Sequence, residues 1–222
     1  MSNFVTFIIP SKGRAMLANT LCSLFVQKHR DWNAVVVFDA VEPTIMSYDK
    51  KIMAVYSQEK LGVGVNEAGN VRNLGIMKAF DPDFYYEDFE PGKWIGFVDD
   101  DDCLLETYIE DLKNESVTHP SVDCIVFRMQ YQDGTILPPF TNHSQEEEIK
   151  NLENKVGISF AIKPHVFFGD KDKPPIRFNP SSGEDFNYLK AIREAGYQIH
   201  ISNHITYNIS PLGCAPDRRP KE

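Results

Sequence analysis

The sequence is poor in features that mark several common classes of protein. Its four cysteines, Cys22, Cys103, Cys124 and Cys214, are far apart, and no CxxC pair occurs. That excludes a zinc ribbon and a disulfide framework, and leaves reduced structural thiols in a cytoplasmic protein as the expectation. No apolar run approaches the roughly 20 residues of a membrane span. The first such run, Phe4 to Ile9, is too short for the core of a signal peptide and meets Pro10 at once. Positive charge is scarce: 23 Lys and Arg stand against 32 Asp and Glu, a net charge of −9. The broad basic face of a nucleic-acid binder is therefore missing, and so is simple electrostatic docking on anionic lipid. Leu61-Gly62-Val63-Gly64 is glycine-rich but lacks the spacing of a P-loop or a dinucleotide fingerprint.

What is present is a chain of 222 residues with an ordinary hydrophobic fraction of 42%, enough to fill the core of one large α/β domain. Phe4 to Ile9 reads as a central strand ended by Pro10, and Ser11-Lys12-Gly13-Arg14 as a polar turn. Ala15 to Gln27 has helical spacing, and Ala34 to Phe38 is a second buried strand stopped by Asp39. Lys51 to Tyr56 (strand), Leu61 to Gly69 (loop), Asn70 to Phe80 (helix) and Asp81 to Gly92 (loop) follow. After Trp94 to Val98 come a helix over Leu105 to Glu115, a strand over Asp123 to Gln130, and a hairpin turn at Asp133-Gly134 leading to Thr135 to Leu137. Pro138 to Lys155 reads as loop with a short acidic helix, and Gly157 to Ile162 as a strand. Gly169 to Pro180 is expected to be a mobile loop that closes, with the tail from Pro211, over a bound ligand. Glu184 to Ala195 is a helix capped by Gly196, and Gln198 to Tyr207 a late strand. Strand–helix alternation in the first half predicts a parallel sheet with helices on both faces, and the hairpin predicts antiparallel additions at its edge.

The chain is organised around Lys93 to Asp102, where an apolar strand breaks into four consecutive carboxylates, Asp99 to Asp102. Like charges this close repel unless something positive sits among them. In an extended segment Asp99 and Asp101 share a face. Carboxylates at the carboxyl end of a buried strand suit a hard divalent cation such as Mg²⁺ or Mn²⁺. The plainer reading is a solvated acidic loop, although strand ends are where open α/β sheets hold their ligands.

Five segments then fall in order: Ile8 to Arg14, Val36 to Asp39, Asn70 to Gly75, Phe97 to Asp102, and Gly183-Glu184-Asp185-Phe186. Together they resemble the family 2 glycosyltransferases of GT-A fold, over about residues 4 to 210. The resemblance implies a Rossmann-like, mixed and mostly parallel central sheet flanked by helices. It implies a single domain spanning 1–222, with a nucleotide-binding half of about 1–103, an acceptor-binding half of about 104–210 and a tail over 211–222. The abrupt end at Lys221-Glu222 fits a domain of a longer multidomain chain.

By that resemblance the chain is an inverting transferase that moves a sugar from a nucleotide-sugar, UDP-linked, to an acceptor hydroxyl on a glycan, protein or lipid. The donor would contact Pro10, Ser11, Arg14, Asp39, Arg72, Asp99 and Asp100, with Lys12 beside them. Asp39 would read the base, although Ala40-Val41-Glu42-Pro43 replaces the family's usual second Asp and Gly-Ser. Mn²⁺ or Mg²⁺ would be held by Asp101, Asp99 and His204, with Asp102 hydrogen-bonded behind them. Asp185 would be the general base, and residues 130 to 180 would meet the acceptor. The alternative for Glu184-Asp185 is that acids favour the first turn of a helix. Two rival functions are a sugar nucleotidyltransferase, for which the loop Ser11 to Arg14 is short, and a degenerate sugar-binding module, against which the acids at 39, 99, 101 and 185 argue.

Overall fold

The computed structural model describes residues 3–43, 49–62, 68–83 and 89–209. Along the chain lie β1 (Val5–Ser11), α1 (Leu17–Phe25), β2 (Trp32–Asp39), β3 (Ile52–Ser57), α2 (Gly69–Ala79), β4 (Trp94–Phe97) and β5 (Cys103–Leu104). Then come α3 (Tyr108–Thr118), β6 (Cys124–Gln130), β7 (Ile136–Leu137), α4 (Gln145–Lys150), β8 (Phe160–Ile162), α5 (Pro164–Phe168), α6 (Glu184–Glu194) and β9 (Ile199–Asn208). No helix among the described residues is long and apolar enough to cross a membrane. No disulfide joins Cys22, Cys103 or Cys124. The tail from Pro211 lies outside the described residues.

The strands form one mixed sheet in the order β3-β2-β1-β4-β8-β6-β9-β5, with β7 beside β6. Every residue of β1, β2 and β4 is buried, as expected of parallel strands covered on both faces. Helices do cover both faces. Ile8 meets α2 at Gly75, while its neighbour Phe7 meets Tyr108 of α3 with ring centroids 5.4 Å apart. Adjacent strand residues point to opposite faces, so the two helices lie on opposite sides.

Several elements depart from the sequence reading. Pro10 does not end β1: the strand continues to Ser11, paired with β2 through Pro10↔Val37 and Ser11↔Phe38. The pairing with β4 stops at Ile8↔Phe97, so beyond that point β1 is paired on one side and a residue without an N–H is tolerated. Antiparallel strands do stand at the edge and in the hairpin, where β5 pairs with β9 and β7 with β6, but one also lies inside the sheet. β8 inserts between β4 and β6 and reverses the sheet in its middle, after which β6 and β9 run parallel again. The helix expected from Leu105 begins at Tyr108, because Leu104 pairs with Tyr207 and Leu105 N–H donates to Thr206 O at 2.8 Å. The loop Gly169 to Pro180 is fastened to α2 at Phe178. Asn73 donates from Nδ2 to Phe178 O and accepts from Phe178 N–H, at 2.9 and 3.0 Å.

Gly75 fixes how closely α2 approaches the sheet. A Cβ there would stand 2.7 Å from Ile8 Cγ2 and 2.9 Å from Val37 Cγ2, both fully buried. Gly→Ala inside a helix normally stabilises by roughly 0.5–1 kcal/mol, whereas overpacking a dense core costs about 1–3 kcal/mol. The second effect outweighs the first here. Gly75→Ala is expected to lower stability by about 1–2 kcal/mol, read as a lower urea midpoint at unchanged m. A raised midpoint would mean that α2 is not pressed onto β1 and β2.

Candidate active site

The carboxyl ends of β1, β2 and β4 open into a cleft of about 430 Å³. Its walls bring together Pro10, Ser11, Arg14, Asp39, Arg72, Asp99, Asp100 and Asp101, as well as Lys12. These residues come from four separate segments of chain. They meet because parallel strands deliver successive βα turns to the same sheet edge.

The four aspartates each have a different partner. Asp100 is buried; its Oδ2 accepts from Ser11 Oγ and from Lys12 N–H, both at 2.9 Å, and its Oδ1 lies 3.3 Å from an Arg14 nitrogen. Burial raises its pKa even though Lys12, Arg14 and Ser11 pull the other way. Asp101, also buried, is ion-paired with Arg14. Asp102 Oδ2 accepts from Tyr207 Oη at 3.0 Å, and its carbonyl accepts from Thr20 Oγ1 at 2.7 Å. Tyr207 Oη in turn accepts from Asp99 N–H at 3.1 Å. Burial, followed by the charges of Asp102 and Asp99, holds the Tyr207 phenol protonated.

Asp99 turns to Arg72, whose Nη2 donates to its Oδ1 at 2.7 Å. Arg72 is buried on α2, and its other terminal nitrogen is ion-paired with Glu184 and lies 3.8 Å from Asp185 Oδ1. Burial opposes its charge, but Asp99, Asp185 and Glu184 outweigh that and its pKa is raised. Glu184 also accepts from the N–H groups of Ala68 and Gly69 at 2.9 and 2.8 Å, so it caps α2 from 115 residues away. Gly69 permits this approach: a Cβ there would lie 2.8 Å from Glu184 Oε2. Asp185, the next residue, is treated differently. Its Oδ1 is buried and accepts no hydrogen bond, while the side chain as a whole is 24% exposed. Burial raises its pKa to about 7; Arg72 works against the shift, and Asp99 and Glu184 add to it.

Asp39 stands at the end of β2 with both oxygens engaged: Oδ1 accepts from Leu61 N–H at 2.6 Å and Oδ2 from Gly62 N–H at 3.1 Å. Ala40 then adopts φ +53°, a left-handed conformation costly for a residue with a Cβ. Residues 63–67 of the glycine loop lie outside the described residues.

His204 is not part of this cluster. Its ring faces Asp111 at 3.4 Å and Glu115 at 3.9 Å, on the side of β9 that packs against α3. The residue of β9 that does reach the aspartates is Tyr207, and no sequence signal distinguished it from the other aromatics. Glu184 as the cap of α2, Thr20 behind Asp102, and Phe178, whose ring lies 5.6 Å from the Arg72 guanidinium, were missed for the same reason.

Asp99, Asp101 and Asp102 each offer one carboxylate oxygen within 4.8 Å of the others. An all-oxygen, highly negative donor set of this spacing fits a hard divalent ion such as Mg²⁺ or Mn²⁺.

No family model matches the sequence, and no curated protein matches it. Solved structures do share the fold. The crystal structure of S. aureus TarS 1-349 superposes with a TM-score of 0.64 at 17% identity, covering 93% of this chain. TarS 1-349 in complex with UDP-GlcNAc, and in complex with UDP, each give 0.64 at 18% identity over 92% of this chain. The chain spans 58–60% of those truncated structures and 36% of the longer TarS structure. The chain thus shares its mixed α/β architecture with TarS.

Asp185 makes a prediction about stability. Its folded pKa of about 7 lies above the ordinary 3.8. The folded state therefore holds this proton more tightly, and the group's contribution is lost as pH rises from about 4 to 7. Asp185→Asn removes that penalty. The variant is expected to melt at a higher temperature than the parent at about pH 8, with the gap closing as pH falls to about 4. Equal melting curves across that range would mean that Asp185 is not held in a desolvated state.

Proposed function

We propose that this chain is a glycosyltransferase that moves a sugar from a nucleotide-sugar, UDP-linked, to an acceptor hydroxyl with inversion at the anomeric carbon. One observation carries the proposal. A desolvated carboxylate with a pKa near neutrality, Asp185, lies 3.8 Å from the arginine that lines the cleft, opposite the aspartate cluster. The fold shared with TarS, whose crystal structures contain UDP-GlcNAc and UDP, supports a nucleotide-sugar as the ligand of that cleft.

The residues divide the work as follows. The diphosphate is the most anionic part of the donor, and the cleft supplies Arg14 and Arg72 to receive it. Asp39 and the backbone around Gly62 take the base. Asp99 and Asp101, supported by Asp102, would hold Mn²⁺ or Mg²⁺, which when bound stabilises negative charge on the leaving diphosphate. The acceptor oxygen bonds to the anomeric carbon as the bond from that carbon to the diphosphate oxygen breaks. The bonding pair leaves with UDP, and the hydroxyl proton passes to Asp185. Asp185 suits that task because it accepts no hydrogen bond at Oδ1 and its pKa sits near the working pH. Glu184 is already committed: its oxygens accept from Ala68, Gly69 and Arg72.

Three variants test the proposal with one assay of UDP release from UDP-sugars and one of UDP affinity. Asp185→Asn is expected to keep UDP affinity and lose about 10²–10⁴-fold in turnover. The parent's kcat/KM should rise with pH to a plateau above about 7, and the variant should lose that dependence. Asp101→Asn is expected to lose the metal-dependent part of UDP affinity while remaining folded. Glu184→Gln should lower melting temperature, because it weakens the clasp on Arg72 and α2. Full turnover in Asp185→Asn would remove it as the base, and unchanged metal dependence in Asp101→Asn would remove the aspartate cluster as the metal site.

A further inference from the structure

Helix α3 presents Asp111 and Glu115, and its C-cap residue His119 follows four residues on, as one stripe against β9. From β9, His200, Ser202 and His204 face that stripe, in a stretch where the pairing with β6 shifts register. Glu115 is buried at the centre. Its Oε2 lies 3.2 Å from His200 Nε2 and 3.6 Å from His119 Nε2. Its Oε1 accepts from Ser202 Oγ and lies 3.9 Å from His204 Nε2. The His119 and His200 rings stack with centroids 3.9 Å apart, so two imidazoles aim the same nitrogen at one carboxylate oxygen. None of these side chains lines the cleft.

We propose that Glu115, His119 and His200 bind a divalent transition-metal ion of the zinc type at a site separate from the aspartate cluster. The spacing supports this. Tetrahedral bonds of about 2.0–2.1 Å set neighbouring ligand atoms roughly 3.3 Å apart, and the observed 3.2 and 3.6 Å bracket that value. One donor atom from each of the three residues lies within 4.8 Å of the others. The donor chemistry differs from that of the cleft: imidazole nitrogens favour zinc, nickel, cobalt or copper, whereas an all-carboxylate set favours magnesium or manganese. The supporting contacts of a metal site are present too. Ser202 holds the far oxygen of Glu115 and so fixes the carboxylate. His119 and His204 side chains are 38% and 49% exposed, which gives an entry path. Bound there, the ion would fasten α3 to the strand that carries Tyr207 to Asp102.

The test is titration of the purified chain with Zn²⁺ by calorimetry and thermal melting, and with Co²⁺ by visible absorption. The parent is compared with His119→Gln, with the double variant His119→Gln/His200→Gln, and with Asp99→Asn/Asp101→Asn. The parent and the aspartate variant are expected to bind Zn²⁺ with a raised melting temperature and to give the intense visible bands of tetrahedral Co²⁺. The histidine variants should lose at least about tenfold in Zn²⁺ affinity and lose those bands. Circular dichroism of the metal-free variants guards against unfolding, and the single change at half-exposed His119 keeps the test valid if the double variant is unstable. Zn²⁺ affinity unchanged in His119→Gln, affinity lost in the aspartate variant instead, or no Zn²⁺ binding by the parent at micromolar concentrations would each overturn the proposal.

Discussion

Arg72 is the point on which the carboxylates of the cleft depend. Asp99, Glu184 and Asp185 arrive from two segments more than 80 residues apart and converge on one buried guanidinium. Left to themselves these groups would repel, and in a partly desolvated site the repulsion would exceed that at a surface. A planar fork with several donors can meet two carboxylates at once, which a lysine could not do. The same contact joins two helices end to end. Glu184 sits in the first turn of α6 and accepts from the first amides of α2, so an anion lies between two positive helix ends.

The run of four aspartates is tolerated because no two of them share a main partner. Asp99 belongs to Arg72, Asp100 to the amide and hydroxyl of the β1 loop, Asp101 to Arg14, and Asp102 to Tyr207. The partners come from three places, so the acidic turn holds the ends of β1, α2 and β9 together around the cleft. Asp100 therefore reads as a positioning residue as much as a wall. Its two hydrogen bonds fix Ser11 and Lys12 where β1 loses its pairing with β4.

Much of this was legible in the sequence, for identifiable reasons. The unbroken apolar runs of β1, β2 and β4 mark strands buried on both faces, and the parallel strand–helix alternation then forces their following turns to one edge. That logic gathers Ser11, Asp39, Arg72 and Asp99 without any knowledge of side-chain contacts. The misses have a common origin in long-range pairing. The three residues of β8 carry nothing to say that they insert between β4 and β6, because two-sided burial reads the same in either direction. Leu104 and Leu105 fit a helical period, yet β9 claims them for pairing. His204 lies only three residues from Tyr207, and the register shifts along β9 decide which of the two reaches the aspartates.

Glu184 and Asp185 show how adjacent acids acquire opposite roles. Both sit in the first turn of α6, where any carboxylate gains from the helix dipole, so composition alone cannot separate them. Hydrogen-bond supply does. Glu184 receives two amides and a guanidinium, which commit it to holding α2 and Arg72. Asp185 has a guanidinium only at 3.8 Å and an oxygen that accepts nothing, so desolvation governs it and lifts its pKa to about 7. An acid that is fully satisfied stabilises the fold, and one that is to take up a proton must be left short of donors. The fold meets both needs within one helical turn by directing every available donor to the first acid and withholding them from the second.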